Sequence, residues 1–225
     1  MAVISEEKLS DSPFVDTIWY TRAISDGTDI VTADVSWDML IINRDGKANV
    51  SMWGPMTKTA QISHTEGQDC LGIRFKVGTF MPFMSADKML DQGIILAEAS
   101  GQNFWLGSSA WELPNYENVD TFLERLARGG LLTSNPLVEA VLQGEAHETE
   151  ASLRSVQRHF VRTTGLTPSY IRFIERAQKA ASLLKQGVSI LDVVYTLDYS
   201  DQAHLTKSLK RLIGQTPAQI LIKTE

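Results

Sequence analysis

The chain of 225 residues has one cysteine, four histidines and seven prolines, and nowhere holds eighteen uninterrupted apolar residues. Each scarcity excludes something. Cys70 has no second cysteine to join, which rules out an intrachain disulfide framework and points to a reducing compartment. His64, His147, His159 and His204 form no metal-ligand spacing with one another or with Cys70, so no metal and no other cofactor is expected. Without a long apolar run nothing is expected to span a bilayer. The N-terminus, MAVISEEKLSDSPF, is acidic and lacks the cationic start and apolar stretch of a secretory signal, and a cytoplasmic location is expected. No phosphate-cradling glycine loop and no Gly-x-Ser-x-Gly nucleophile turn occur, so the chain does not read as an enzyme. The net charge of −6, taken whole, speaks against a nucleic-acid partner.

The distribution of that charge points the other way. Residues 1–150 hold 10 Lys/Arg and 22 Asp/Glu, a net of −12, whereas residues 151–225 hold 11 and 5, a net of +6. Such asymmetry marks parts with different partners. All five tryptophans and all seven methionines lie before residue 112. Two domains follow, residues 1–130 and 134–225.

The N-terminal part reads as β-rich. The run 28–53 mixes β-branched and polar residues in strand-length pieces, and Asp45-Gly46 is a type I′ hairpin signal. Residues 70–78, CLGIRFKVG, alternate Ile73 and Phe75 with Arg74 and Lys76. Short strands between turn residues indicate a small sandwich or barrel. After Pro114, Val119, Phe122, Leu123, Leu126 and Ala127 fall at helical spacing, and Gly129-Gly130 stops the run. Its aromatic residues read as core rather than as ligand contacts.

The C-terminal part contains an internal duplication. SLRSVQRHFVRTTGLTPSYI (152–171) aligns with DQAHLTKSLKRLIGQTPAQI (201–220) at a constant offset of 49. Ser152 and Asp201 are N-caps, Gly165 and Gly214 suit the left-handed helix stop, and Thr167-Pro168 and Thr216-Pro217 open the next helix. Ser189 opens a short helix with Ile190, Val193, Val194 and Leu197 inward, and Asp198-Tyr199-Ser200 turns into the helix capped by Asp201. Thr167 to Gln186 reads as one helix of about 19 residues, roughly 28 Å long, closed by Gly187. Tyr170 and Tyr195 are expected in the core.

Facing matters more than existence. Leu205, Leu209 and Leu212 cluster on one side of the second copy, opposite Ala203, His204, Lys207, Lys210 and Arg211. The first copy sets Leu153, Val156 and Phe160 against Arg154, Arg158 and Arg162. Surface helices usually pair their bases with acids. These faces carry bases without acids, which suits a polyanion. The residues alone leave one rival open: a small-molecule-binding or enzymatic β-domain whose helical tail is an interaction module.

Residues 152–222 resemble the DNA-binding domain of the AraC/XylS family of bacterial transcription regulators. The two spaced half-motifs, SLRSVQRHF…TGLTPSYIRFIERAQKAASLL and ILDVVYTLDYSDQAHLTKSLKRLIGQTP, carry that resemblance. It implies an α+β, two-domain chain: a β-rich sandwich or barrel, sensor-like or dimerising, then an all-α double helix-turn-helix domain. By position it implies base-edge reading by Arg154, Gln157 and Arg158 in the first unit and by Gln202, Ala203, His204, Thr206 and Lys207 in the second. Arg162, Lys210 and Arg211 would meet phosphate. The implied partners are double-stranded DNA, a small-molecule effector, a second copy of the chain and, for an activator, RNA polymerase, with no membrane. Three departures stand out. Asp198 occupies the family's turn glycine, Leu209 its usual aromatic, and residues 137–143 supply one short helix where the family has two, with GEAHETEA (144–151) as a loop.

Overall fold

In a computed structural model, residues 3–142 and 152–222 are described. GEAHETEA therefore lies outside the described residues, as does the side chain of Leu153. Twelve strands and seven helices follow one another among the described residues. The strands are β1 (Val3–Leu9), β2 (Val15–Ala23), β3 (Gly27–Val31), β4 (Asp38–Arg44), β5 (Lys47–Trp53), β6 (Ala60–His64), β7 (Asp69–Phe75), β8 (Thr79–Phe80), β9 (Gly93–Ile95), β10 (Asn103–Leu106), β11 (Ser109–Glu112) and β12 (Thr133–Ser134). The helices are α1 (Val119–Arg128), α2 (Pro136–Leu142), α3 (Leu153–Thr164), α4 (Pro168–Lys185), α5 (Ile190–Thr196), α6 (Gln202–Leu212) and α7 (Pro217–Ile222), with a 3-10 turn at Ala86–Lys88.

The β-rich N-terminal region and the helical C-terminal region are both present. An antiparallel sheet of order β1-β2-β7-β4-β5-β9 dominates the first, joined by the ribbons β3-β6, β10-β11 and β8-β12. Asp45 and Gly46 join β4 to β5 with φ of 52° and 76°, the double positive φ of a type I′ turn. Register then puts Ile18, Ile73, Met39 and Met52 in one row across four strands, all fully buried. Helix α1 and the strand β10 cover that face with Phe122, Leu123, Leu126, Phe104 and Leu106. Burying an aliphatic side chain of this size contributes about 1.5–3 kcal/mol, so this row and its cover hold the domain together. Cys70 lies half-buried in β7, and burial pushes its thiol up to about 11.

A second core lies among the helices, and two of its members come from far away. Ile171, Ile174, Ala177, Ala181 and Leu184 of α4 pack with Phe160, Leu205, Leu209 and Leu212, and also with Ala33 and Val35 from the β3–β4 connection. The helix ends behave as their residues dictate. The hydroxyls of Ser152 and Thr167 and the carboxylate of Asp201 accept backbone N–H groups of Ser155, Tyr170 and His204, and Gly165 and Gly214 take φ of 73° and 83°. One expectation fails: Tyr195 is 80% exposed on the outer face of α5. It lies away from the buried Val193 and Val194, so the inward stripe of that short helix leaves it out.

Candidate nucleic-acid interface

The second unit is built around a tight turn. Helix α5, capped by Ser189, gives way at Leu197, and Asp198 takes φ of 53°. An aspartate tolerates this left-handed conformation at modest cost. Tyr199 then turns inward, its N–H bonded to the Val194 carbonyl at 3.0 Å. The Arg176 guanidinium of α4 lies 4.6 Å from the Tyr199 ring centroid and donates to the Asp198 carbonyl at 3.4 Å. The turn is thereby tied to the connecting helix. Burial raises the pKa of the Tyr199 hydroxyl, and Arg176 opposes that rise. Asp201 begins α6, and the N–H of His204, donated at 2.7 Å, holds its carboxylate below the usual range.

Helix α6 buries Leu205, Ser208, Leu209 and Leu212 and turns the remainder outward. Gln202, Ala203, Thr206, Lys207, Lys210 and Arg211 line one open depression of about 790 Å³. His204 stands apart from them. Its Nδ1 lies 3.2 Å from the Ser200 hydroxyl, and its ring meets the edge of Tyr199 at 5.2 Å. The Thr206 hydroxyl donates to the Gln202 carbonyl at 2.8 Å, Lys210 to the Gly214 carbonyl at 3.3 Å, and Arg211 to the Tyr170 hydroxyl at 3.0 Å. Among the described residues none of these bases forms an ion pair.

The first unit presents Arg154, Gln157, Arg158 and Arg162 on the exposed side of α3, with Val161 beside them. They line a depression of about 510 Å³, but not alone: Ser85 and Asp87, from the 3-10 turn of the N-terminal domain, share its wall. Before α3, Asn135 caps α2 by accepting from the N–H groups of Leu137 and Val138, and its amide donates to the Thr163 hydroxyl at 3.0 Å. The structure thus brings the expected residues onto two faces, one per unit, with His204 turned aside.

Sequence reasoning missed the clasp between the domains. The last carbonyls of a helix lack intrahelical partners, and donors of the N-terminal domain meet them in both recognition helices. Trp37 Nε1 donates to the Thr163 carbonyl of α3 at 3.3 Å. The N–H groups of Ala33 and Thr59 donate to the carbonyls of Leu212 and Arg211 of α6 at 2.7 and 3.1 Å. Gln178 of α4 donates to the Ala33 carbonyl, and Tyr170 to that of Thr57, each at 3.0 Å. The equivalent glycines sit against the same surface: a Cβ on Gly165 would lie 2.9 Å from the Ala86 carbonyl oxygen, and one on Gly214 3.2 Å from Ile30. Contacts of this kind join residues 79 or more apart and leave no periodic signal.

An ion triplet holds the strap that carries Ala33 and Trp37. Arg74 donates to Asp34 at 3.0 Å and to both oxygens of Asp38 at 3.1 and 3.0 Å. Burial pushes Asp34 up to about 6, against the pull of Arg74. Burial would lower the Arg74 pKa, but the hydrogen bond and charge of Asp38 outweigh it, and Arg74 stays firmly cationic.

Two helix-turn-helix units on one long connecting helix define the C-terminal region as a domain of the transcription-regulator class. Residues 146–221 match the family described as Helix-turn-helix domain, and this region is of the AraC type, as the resemblance implied. The chain is similar to the HTH-type transcriptional regulator RipA of Corynebacterium glutamicum, 34% identical over 88 residues, which cover 39% of this chain and 27% of RipA. It is also similar to the uncharacterized HTH-type transcriptional regulator YidL of Escherichia coli, 40% identical over 78 residues, 34% of this chain and 25% of YidL. The chain therefore spans about a quarter of the length of these curated relatives. Among solved structures, ToxT of Vibrio cholerae O395 aligns over 100% of both chains at 10% identity with a TM-score of 0.44. A further structure of ToxT from Vibrio cholerae, in the P21 form, aligns over 99% of this chain and 98% of its own, at 10% identity and a TM-score of 0.39. No helix among the described residues is long and apolar enough to cross a membrane, and no three His, Cys, Asp or Glu side chains among them gather to hold a metal ion.

Proposed function

We propose that this chain is a sequence-specific, double-stranded DNA-binding transcription regulator, non-enzymatic and cytoplasmic. Residues 134–225 bind the duplex, and residues 1–130 sense a small molecule or pair with a second copy. RNA polymerase is the further partner if regulation is by activation. The observation that carries this reading is the outer face of α6. It is a basic helix behind a tight turn, with Gln202, Ala203, Thr206 and Lys207 around an open depression and no acid among them. A helix so presented enters the major groove with its N-terminal half against the base edges.

Salt dependence tests it. Three phosphate contacts, from Arg162, Lys210 and Arg211, would make the affinity of the full chain for duplex DNA fall on the order of 40-fold between 50 and 200 mM salt. The measurement is a titration of labelled duplex at several salt concentrations. Absence of binding even at the lowest salt would overturn the proposal.

A further inference from the structure

The two recognition faces offer different chemistry. On α3, Arg154 and Arg158 present hydrogen-bond donors only. On α6, the half nearest the turn presents mostly carbon. Ala203 is exposed and contributes a methyl group. The Thr206 proton is committed to the Gln202 carbonyl at 2.8 Å, and this back-bond leaves its methyl and an acceptor lone pair for the depression. His204, which could have supplied a polar atom here, is held by Ser200 and Tyr199 instead. Ala203 and Thr206 lie three residues apart, on one side of the helix, so their methyl groups form a continuous apolar step. In the major groove only one natural base edge carries a matching apolar group, the C5-methyl of thymine.

We infer that the second unit selects thymine, with Ala203 and Thr206 as its specificity-determining residues. This inference rests on the DNA-binding reading above and names the base chemistry of its second half-site. The Gln202 amide, beside the step, and the Lys207 ammonium, one turn beyond Ala203, are left for the neighbouring base edges.

The test uses the full chain and a duplex recovered by selection from a random library. The recovered sequence contains thymine in the half-site that Lys207→Ala affects. Replacing those thymines by deoxyuridine removes only the methyl groups and weakens binding about fourfold for each one lost. Ala203→Ser and Thr206→Ser, which keep the fold and the Thr206-type back-bond, each weaken the preference for thymine, and with both replacements in one chain thymine and deoxyuridine duplexes bind alike. Thr206→Val, which keeps the methyl, preserves the preference. Equal affinity of the wild-type chain for the two duplexes overturns the inference and leaves the DNA-binding reading standing, as does a preference that survives both serine variants. Failure to bind any duplex overturns both.

Discussion

The two helix-turn-helix units share a pattern at an offset of 49 residues, a capping scheme and a left-handed glycine stop, yet they stand in different surroundings. The second is complete, with α5, a turn locked by Arg176, and a face formed by α6 residues alone. The first shares its face with Ser85 and Asp87 of the N-terminal domain, so a carboxylate borders the arginines that would meet base edges and phosphate. Equivalent sequence positions therefore guarantee equivalent packing but not equivalent access. Packing is set within the repeat, and access is set by what the rest of the chain places beside it.

The sharpest way to break the equivalence of packing is at Phe160 and Leu209, the matched positions, both fully buried. Phe160→Ala should lower stability by about 3–5 kcal/mol and Leu209→Ala by about 2–5 kcal/mol in urea unfolding. A loss under about 1 kcal/mol at Phe160 would show that the first unit is not packed as its repeat partner is.

The anchors of the two units differ in chemistry, and pH separates them. The first is held by neutral Trp37; the second is held by Ala33, next to Asp34. With its pKa raised from 3.8 to about 6, Asp34 keeps in the folded chain a proton that the unfolded chain releases. The stability contributed by this group is therefore fully present below about pH 4 and is lost as pH rises through about 6, about 3 kcal/mol in all. In Asp34→Asn that decline should be missing, so the difference between the two pH profiles, measured by thermal unfolding, isolates it. An unchanged profile would remove Asp34 as its source.

Smaller effects sharpen the division of labour on α6. Lys207→Ala should cost about 1–3 kcal/mol of binding and relax sequence preference, whereas Lys210→Ala should weaken all sequences alike and reduce the salt slope by about 1. Equal, sequence-independent losses from both would show that the reading face has been misassigned. Smallest of all is the effect at the shared wall. Asp87→Ala should raise duplex affinity about twofold to fivefold at low salt, the range of one exposed charge. No gain at any salt would mean that the first unit meets DNA without passing Asp87.

Much of the C-terminal domain was legible because its signals are local. Caps at Ser152, Thr167 and Asp201, the stops at Gly165 and Gly214, and the strained turn at Asp198 depend on residues a few positions apart. The hairpin at Asp45-Gly46 and the α1 stripe were legible for the same reason. Tyr195 was misread because a single aromatic carries no facing information without its neighbours' contacts. The orientation of His204 depends on a hydroxyl at Ser200 and a ring at Tyr199, and a helical wheel places neither. Asp87 and the clasp lay beyond reach, since contacts across the domains obey no period.

That clasp also makes the molecule report on itself. The amide protons of Ala33 and Thr59, in the β-domain, are held by the carbonyls of Leu212 and Arg211 in the other domain. Their exchange with solvent deuterium measures how often the two domains part, without either one unfolding. Amides inside the six-stranded sheet, such as that of Ile73, time the opening of the domain itself. The ratio of the two rates is a clock for domain separation written into the backbone, readable with no label and no mutation.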